Sequence, residues 1–221
     1  MTEVAELTEV TELTAAADRK RERIARRQVD KFTERRDQLA EAARQTLAEL
    51  GYANTSLRDI AQNSDFSHGV LHYYFADKFE LITYCVRQYK AECVKRYDSI
   101  VATAVTTDEL TAGIGAAMAG TLRADAGMHR LWYDLRNQAL FDKAFRPDVA
   151  EIDQSLERMI WRIVSKFAEL AGKPPAVSPG VAYALADGLF QHALLAHVAG
   201  DAGAAGELDA RVRLLLPSLV P

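Results

Sequence analysis

The stretch Gly51–Leu81 reads GYANTSLRDIAQNSDFSHGVLHYYFADKFEL, and its punctuation decides the fold. Gly51 follows an amphipathic helix with Leu39, Ala43, Leu47 and Leu50 at helical spacing, and glycine stops a helix by taking a left-handed backbone without strain. Thr55 or Ser56 caps a short second helix with Leu57, Ile60 and Ala61 on one face. Asn63-Ser64-Asp65 is turn chemistry, and Phe66 is the expected buried residue after it. Ser67 caps a third helix that turns Val70 or Leu71 inward and leaves His68, Gly69, His72 and Tyr73 outward. Ala76-Asp77-Lys78 then opens a fourth helix with Asp77 as N-cap. Two short helices joined by a tight turn, the second presenting small and polar side chains, have the geometry that reads a DNA major groove.

These residues resemble the TetR (tetracycline-repressor-like) family of bacterial transcriptional regulators. The resemblance rests on Gly51-Tyr52, Thr55-Ser56, Ile60-Ala61, Asp65-Phe66-Ser67, Leu71-His72-Tyr73-Tyr74-Phe75 and Lys78 with Leu81, and covers roughly residues 35 to 90. Two positions depart from the family pattern. Asp65 stands where the turn usually has Gly, and Asp tolerates the left-handed backbone expected there. His72 replaces the first aromatic of a Tyr pair and is a candidate source of this chain's own base preference. The resemblance implies that Ser67, His68, Gly69, Val70 and His72 lie near base edges or the groove wall. It also implies that Thr55, Ser56, Tyr73 and Lys78 hold phosphates, Lys78 together with the N-terminus of the fourth helix. The alternative, less favoured for Tyr73, is that it is a packed aromatic and that Thr55 is a cap alone. His68 and His72 stand four apart, a metal-binding spacing on a helix, but no third ligand is nearby.

Charge is distributed unevenly around this motif. The net charge is −4, but residues 18–37 carry nine Lys or Arg against five acids, while residues 1–17 hold four Glu and no base. Arg26 and Arg27 belong to the basic stretch, which reads either as an arm reaching phosphates or as a solvated extension of the first helix. Ahead of it, TEVAEL and TEVTEL form a two-copy acidic repeat, too short for a solenoid; Val4, Leu7, Val10 and Leu13 could form a weak amphipathic helix, but disorder is the expectation for so short a terminal segment. It lacks the basic start and apolar core of a secretory signal. The expected organisation is an acidic segment over 1–17, a basic arm or helix extension over 18–34, a DNA-binding domain over 35–80 and a helical regulatory and dimerisation domain over 81–221.

That last region gives helix signals at roughly 77–104, 108–125, 128–142, 147–172, 179–200 and 205–216, with no strand patterns. The fold class is therefore all-α. Leu185, Leu189, Leu194 and Val198, then Leu208, Val212 and Leu215, form two apolar stripes near the C-terminus, the candidate dimer interface; the resemblance implies a four-helix bundle there across a two-fold axis. Such a dimer presents two reading helices on the order of 34 Å apart and expects a palindromic site in double-stranded DNA. Met118, Leu122, Trp132, Tyr133, Arg136, Asn137, Phe141, Trp161 and Phe190 mix bulky apolar and polar groups as a small-molecule cavity would, though for any one aromatic ordinary core is the commoner role. Gly113 to Gly120 supply small side chains that could leave room for a ligand. If Arg136 faces the cavity, an anionic or carbonyl-bearing ligand fits.

Other classes find less support. No nucleophile–base pair is visible, His192 and His197 point to different faces, and no enzyme activity, metal or cofactor is expected. Cys85 and Cys93, eight apart on one helix, cannot bridge and read as reduced, buried thiols. The apolar run 180–200 is interrupted by Asp187, Gln191, His192 and His197, so no membrane span is expected and the chain reads as cytoplasmic and nucleoid-associated. The reading is a homodimeric repressor released from a palindromic operator by a small-molecule effector. The alternative is a regulator without such an effector, controlled by a protein partner, or an activator.

Overall fold

In a computed structural model, which describes residues 2–52 and 54–221 with side chains for 21, 23, 26–52 and 54–221, regular structure among the described residues is helical throughout. Helix α1 spans Thr2–Leu50, so the basic segment takes the backbone of the helix-extension alternative. The side chains of the acidic repeat, and those of Arg19 and Lys20, lie outside the described residues; Arg26 and Arg27 are exposed. The C-terminal end of α1 buries Leu39, Ala40, Ala43 and Leu47 completely, and Gly51 stops it at φ +75°.

Helix α2 (Leu57–Gln62) and helix α3 (His68–Tyr74) follow as a helix-turn-helix. The turn between them is made without a left-handed residue: positive φ occurs, among the described residues, only at Gly51, Gly172 and Gly200. Asp65 therefore does not do what the missing glycine suggested. Asn63 closes α2 with its amide on Asp59 and Ala61, and the Phe66 amide donates to Ser64 Oγ at 3.4 Å. Phe66 is half-buried rather than buried, with the Arg35 guanidinium 4.7 Å above its ring.

Helix α4 (Lys78–Cys93) starts at an Asp77 cap that accepts from the Glu80 amide. It stops earlier than its apolar pattern predicts, and a turn leads into α5 (Asp98–Thr103). Arg162 stabilises that break by donating to the Val94 carbonyl and to Asp98. Helix α6 (Thr107–Phe141) joins two expected helices across a kink at Asp125, whose carboxylate pairs with Arg96. Gly127 lets α6 lie against α1: a Cβ there would sit 2.7 Å from the Ala48 Cβ. After a short 3-10 turn come α7 (Arg146–Ala171), α8 (Pro179–Val198) and α9 (Ala204–Ser218). Helix α6 packs chiefly on α9, and α8 on both α7 and α9.

The small residues early in α6 do not make room for a ligand. A Cβ on Gly113 would come within 2.7 Å of Ile100, and one on Gly115 within 2.2 Å of Asp209. They allow α5 and α9 to approach. One cluster of buried apolar residues runs from Leu39 to Val220 through both halves of the chain. Among the described residues no helix is long and apolar enough to cross a membrane.

Candidate nucleic-acid interface and ligand cavity

The exposed face of α3 is held from behind by local chemistry. The Ser67 hydroxyl accepts from the Val70 amide at 3.3 Å, capping the helix, while Leu71 is fully buried. Ser67, His68, Gly69, His72 and Tyr73 face outward together, and Val70 is half-buried. The imidazoles of His68 and His72 meet edge to face at 4.4 Å, and among the described residues no third ligand completes a metal site with them. Tyr73 is 73% exposed, which removes the packed-aromatic alternative; its neighbour Tyr74 takes that role against Phe32. Nothing inside the protein approaches a Cβ on Gly69 more closely than 4.0 Å, so the room that this glycine leaves is on the outer face.

The residues expected to hold phosphates divide. Ser56 is exposed and forms a capping box with Asp59, whose carboxyl it holds below the usual carboxylate range by hydrogen bonding. Arg58, beside it on α2, is an exposed cation that the sequence reading passed over. Thr55 is a correction: it is 2% exposed and its hydroxyl donates to the Gly51 carbonyl at 2.6 Å, so it closes the α1–α2 corner. Lys78 is half-buried; its ammonium donates to the Tyr52 carbonyl at 2.9 Å and lies 4.5 Å over the Tyr52 ring. Tyr52 in turn donates its amide to Asp134 Oδ2 of α6 at 2.9 Å. The expected phosphate anchor is thus tied through one residue to the C-terminal body.

A cavity of about 60 Å³ lies between α4, α6, α7 and α8. Four of the nine expected residues line it: Met118, Trp132, Tyr133 and Phe190. The other five do not. Leu122 is core, Trp161 is half-buried against it, and Asn137 and Phe141 face solvent, Phe141 at 87% exposure. Arg136 is held between Asp153 and Asp187, an ion-paired strut rather than a cavity cation. Polar residues at the cavity that the expected set lacks include Lys90 of α4, His129 of α6 and Asp187 of α8. Lys90 Nζ lies 3.1 Å from His129 Nδ1, and His129 Nε2 lies 2.9 Å from the Tyr89 hydroxyl. Burial pushes Lys90 down to about 8, and burial plus the Lys90 charge holds His129 well below its ordinary value. Lys90 was legible in principle, since it continues the buried stripe Ile82, Val86 at a spacing of four.

The C-terminal helices also correct the interface reading. Leu194, Leu208 and Val212 are buried within the protomer itself, and Leu189 and Leu215 are half-buried. Leu185 and Val198 remain outward, joined by Val181 and Leu195 on α8 and by Leu214 on α9.

A helix-turn-helix presented on a helical body defines a transcription regulator that binds DNA. Residues 39–85 match the model of "Bacterial regulatory proteins, tetR family", a family of transcription regulators. No curated protein matches the chain by sequence. Among solved structures it is similar to a TetR transcription regulator from Haloarcula marismortui at 14% identity, covering 86% of this chain and 100% of that one with a TM-score of 0.70. It is also similar to the transcriptional regulator FadR from Bacillus subtilis in complex with stearoyl-CoA, at 17% identity, 83% and 98% coverage and a TM-score of 0.68. The ketosteroid transcriptional regulator KstR2 of Mycobacterium tuberculosis matches at 20% identity, 85% and 95% coverage and a TM-score of 0.58.

Proposed function

We propose that the chain is a homodimeric repressor that binds a palindromic operator through α3 and is released by a small molecule bound between α4, α6, α7 and α8. The observation that carries the DNA-reading part is the outward set Ser67, His68, Gly69, His72 and Tyr73 on one capped, core-anchored helix. Side chains facing base edges give sequence preference, whereas the exposed Ser56, Arg58, Arg26 and Arg27 serve as phosphate partners. Lys78 contributes through the N-terminus of α4, which its bond to Tyr52 positions.

The outward apolar residues of α8 and α9 support the dimer. Val181, Leu185, Leu195 and Val198 recur at helical spacing, with Leu214 alongside, and a second copy covers such a face by two-fold symmetry. Effector release is supported by the cavity and by α4, which carries Lys78 at the DNA-facing end and Lys90 at the cavity, roughly 18 Å apart along the helix. A structure with this fold holds stearoyl-CoA, which is compatible with a small-molecule effector here.

Selection of duplexes from a randomised pool by the purified protein, followed by sequencing, tests this reading. The expected product is a palindrome whose half-sites lie about one or more helical turns apart. His72→Ala should recover a shifted motif. Folded protein that enriches no sequence would sink the proposal.

A further inference from the structure

Resting on the effector reading above, we infer that the ligand is an apolar molecule carrying a carboxylate, whose oxygens pair with the Lys90 ammonium while its body fills the space beside Met118, Trp132 and Phe190.

Lys90 is 4% exposed, yet it makes no ion pair among the described residues. Its one hydrogen bond goes to His129, and its remaining attraction is to the faces of Tyr89 and Trp132, 5.7 and 5.4 Å away. An ammonium taken out of water is costly unless an acceptor or an opposite charge meets it. The nearby acids are already engaged. Asp187 accepts from the Tyr133 hydroxyl and from Arg136, and Asp153 accepts from the Tyr183 hydroxyl and pairs with Arg136. They favour the charged lysine from a distance without touching it.

The chemistry that is left over has one sign. His129 accepts from Lys90 and donates to Tyr89, so it is neutral and fully bonded. Trp132 also lines the cavity, and its buried indole N–H has no acceptor. Among the described residues, Lys90 thus keeps ammonium hydrogens beyond the one given to His129, and Trp132 its indole hydrogen, with no acceptor. A ligand that brings oxygen acceptors and a negative charge answers both, and one that brings an amine answers neither.

The surroundings set the rest of the molecule. Leu156, Met159 and Ile160 close the cavity on the α7 side, so the body must be apolar. Cavities that hold drug-sized ligands measure roughly 300–1,000 Å³, far above the space present, so the ligand must part α7 or α8 from α4 and α6 to enter. Lys90 also borders an open groove of about 330 Å³ between α4 and α7, which places the headgroup at the mouth.

The test uses the full chain and matched probes: phenylacetate, 4-phenylbutanoate and decanoate against their methyl esters, titrated by calorimetry and by tryptophan fluorescence. At least one acid should bind about ten- to a hundredfold more tightly than its ester, the scale of a charge-assisted hydrogen bond. In Lys90→Met, a near-isosteric apolar change, that ratio should collapse to about one. The acid-to-ester comparison on the natural sequence stands alone if the variant fails to fold. Equal affinities, a ratio that survives Lys90→Met, or no binding by any acid would each overturn the carboxylate assignment. Release of the selected duplex by a neutral compound would do so too, while leaving the regulator reading intact. Failure to enrich any duplex would instead remove the reading on which the assignment rests.

Discussion

At Gly69 two properties of one residue part company. Alanine there meets nothing inside the protein and gains helix propensity, worth about 0.5–1 kcal/mol. Gly69→Ala should therefore raise the melting temperature by roughly 1–4 °C. If the outer face lies against DNA, the same methyl should weaken operator binding by about tenfold, the scale of one lost base-edge contact. Calorimetric melting and titration of the selected duplex, run on one preparation, check both signs; an unchanged operator affinity would take α3's outer face off the DNA. Leu71→Ala is the contrasting case. It removes a fully buried side chain from the same helix, should cost about 2–5 kcal/mol, and should lose DNA binding only because the domain unfolds. The caps and turn that present these residues were readable because they are local: Ser56, Ser67 and Asp77 each bond a backbone amide within three residues. Thr55 was misread because its burial depends on the corner with Gly51, which no pattern within α2 announces.

Among the helices, legibility followed how one-sided each one is. Helix α7 keeps its apolar side chains on one stripe, and its expected limits agree with the observed ones within a residue or so. Helix α8 is apolar around most of its circumference, so periodicity could not separate the side that packs inside from the side that faces out. That is why Leu194 was placed at an interface while Leu195, the outward one, was not. The cavity was the least readable feature because it belongs to no single helix: Lys90, His129 and Asp187 come together only when α4, α6 and α8 pack. Their packing carries a pH signature. Lys90 titrates near 8 in the folded chain against an ordinary 10.5, so between those values the unfolded chain holds more protons and stability gains with rising pH. Burial also pushes the Cys85 thiol up, which acts oppositely above about 9, and Tyr84 and Tyr97, pushed up to about 12, do so above about 10. Lys90→Met should abolish the gain between pH 8 and 9, measured by denaturant unfolding against the natural sequence. On the acid side His129 stays neutral when folded, so stability should fall as pH drops below about 6.5, and His129→Gln should flatten that slope.

For the molecule as a whole, the outward apolar residues of α8 and α9 and the shared core make separable predictions. Leu195→Glu with Leu214→Glu should leave the helical content intact, since both side chains are exposed, and yield a monomer by sedimentation. Operator affinity should drop by about a hundredfold or more, because the second half-site is no longer bound in the same event. A variant that stays dimeric would move the interface elsewhere. The core that runs from Leu39 to Val220 predicts one cooperative thermal transition rather than separate melting of a DNA-binding part and a C-terminal part. Tyr52 adds a different kind of consequence. Its amide reaches Asp134 and its carbonyl receives Lys78, each at 2.9 Å, and neither contact remains a hydrogen bond beyond about 3.5 Å. Two such links in series have only about an ångström of slack between them. A ligand that moves α6 by less is absorbed without notice at the DNA, and one that moves it further lets go all at once. Each protomer then behaves as a threshold device, and the only graded quantity in the response is the fraction of protomers occupied.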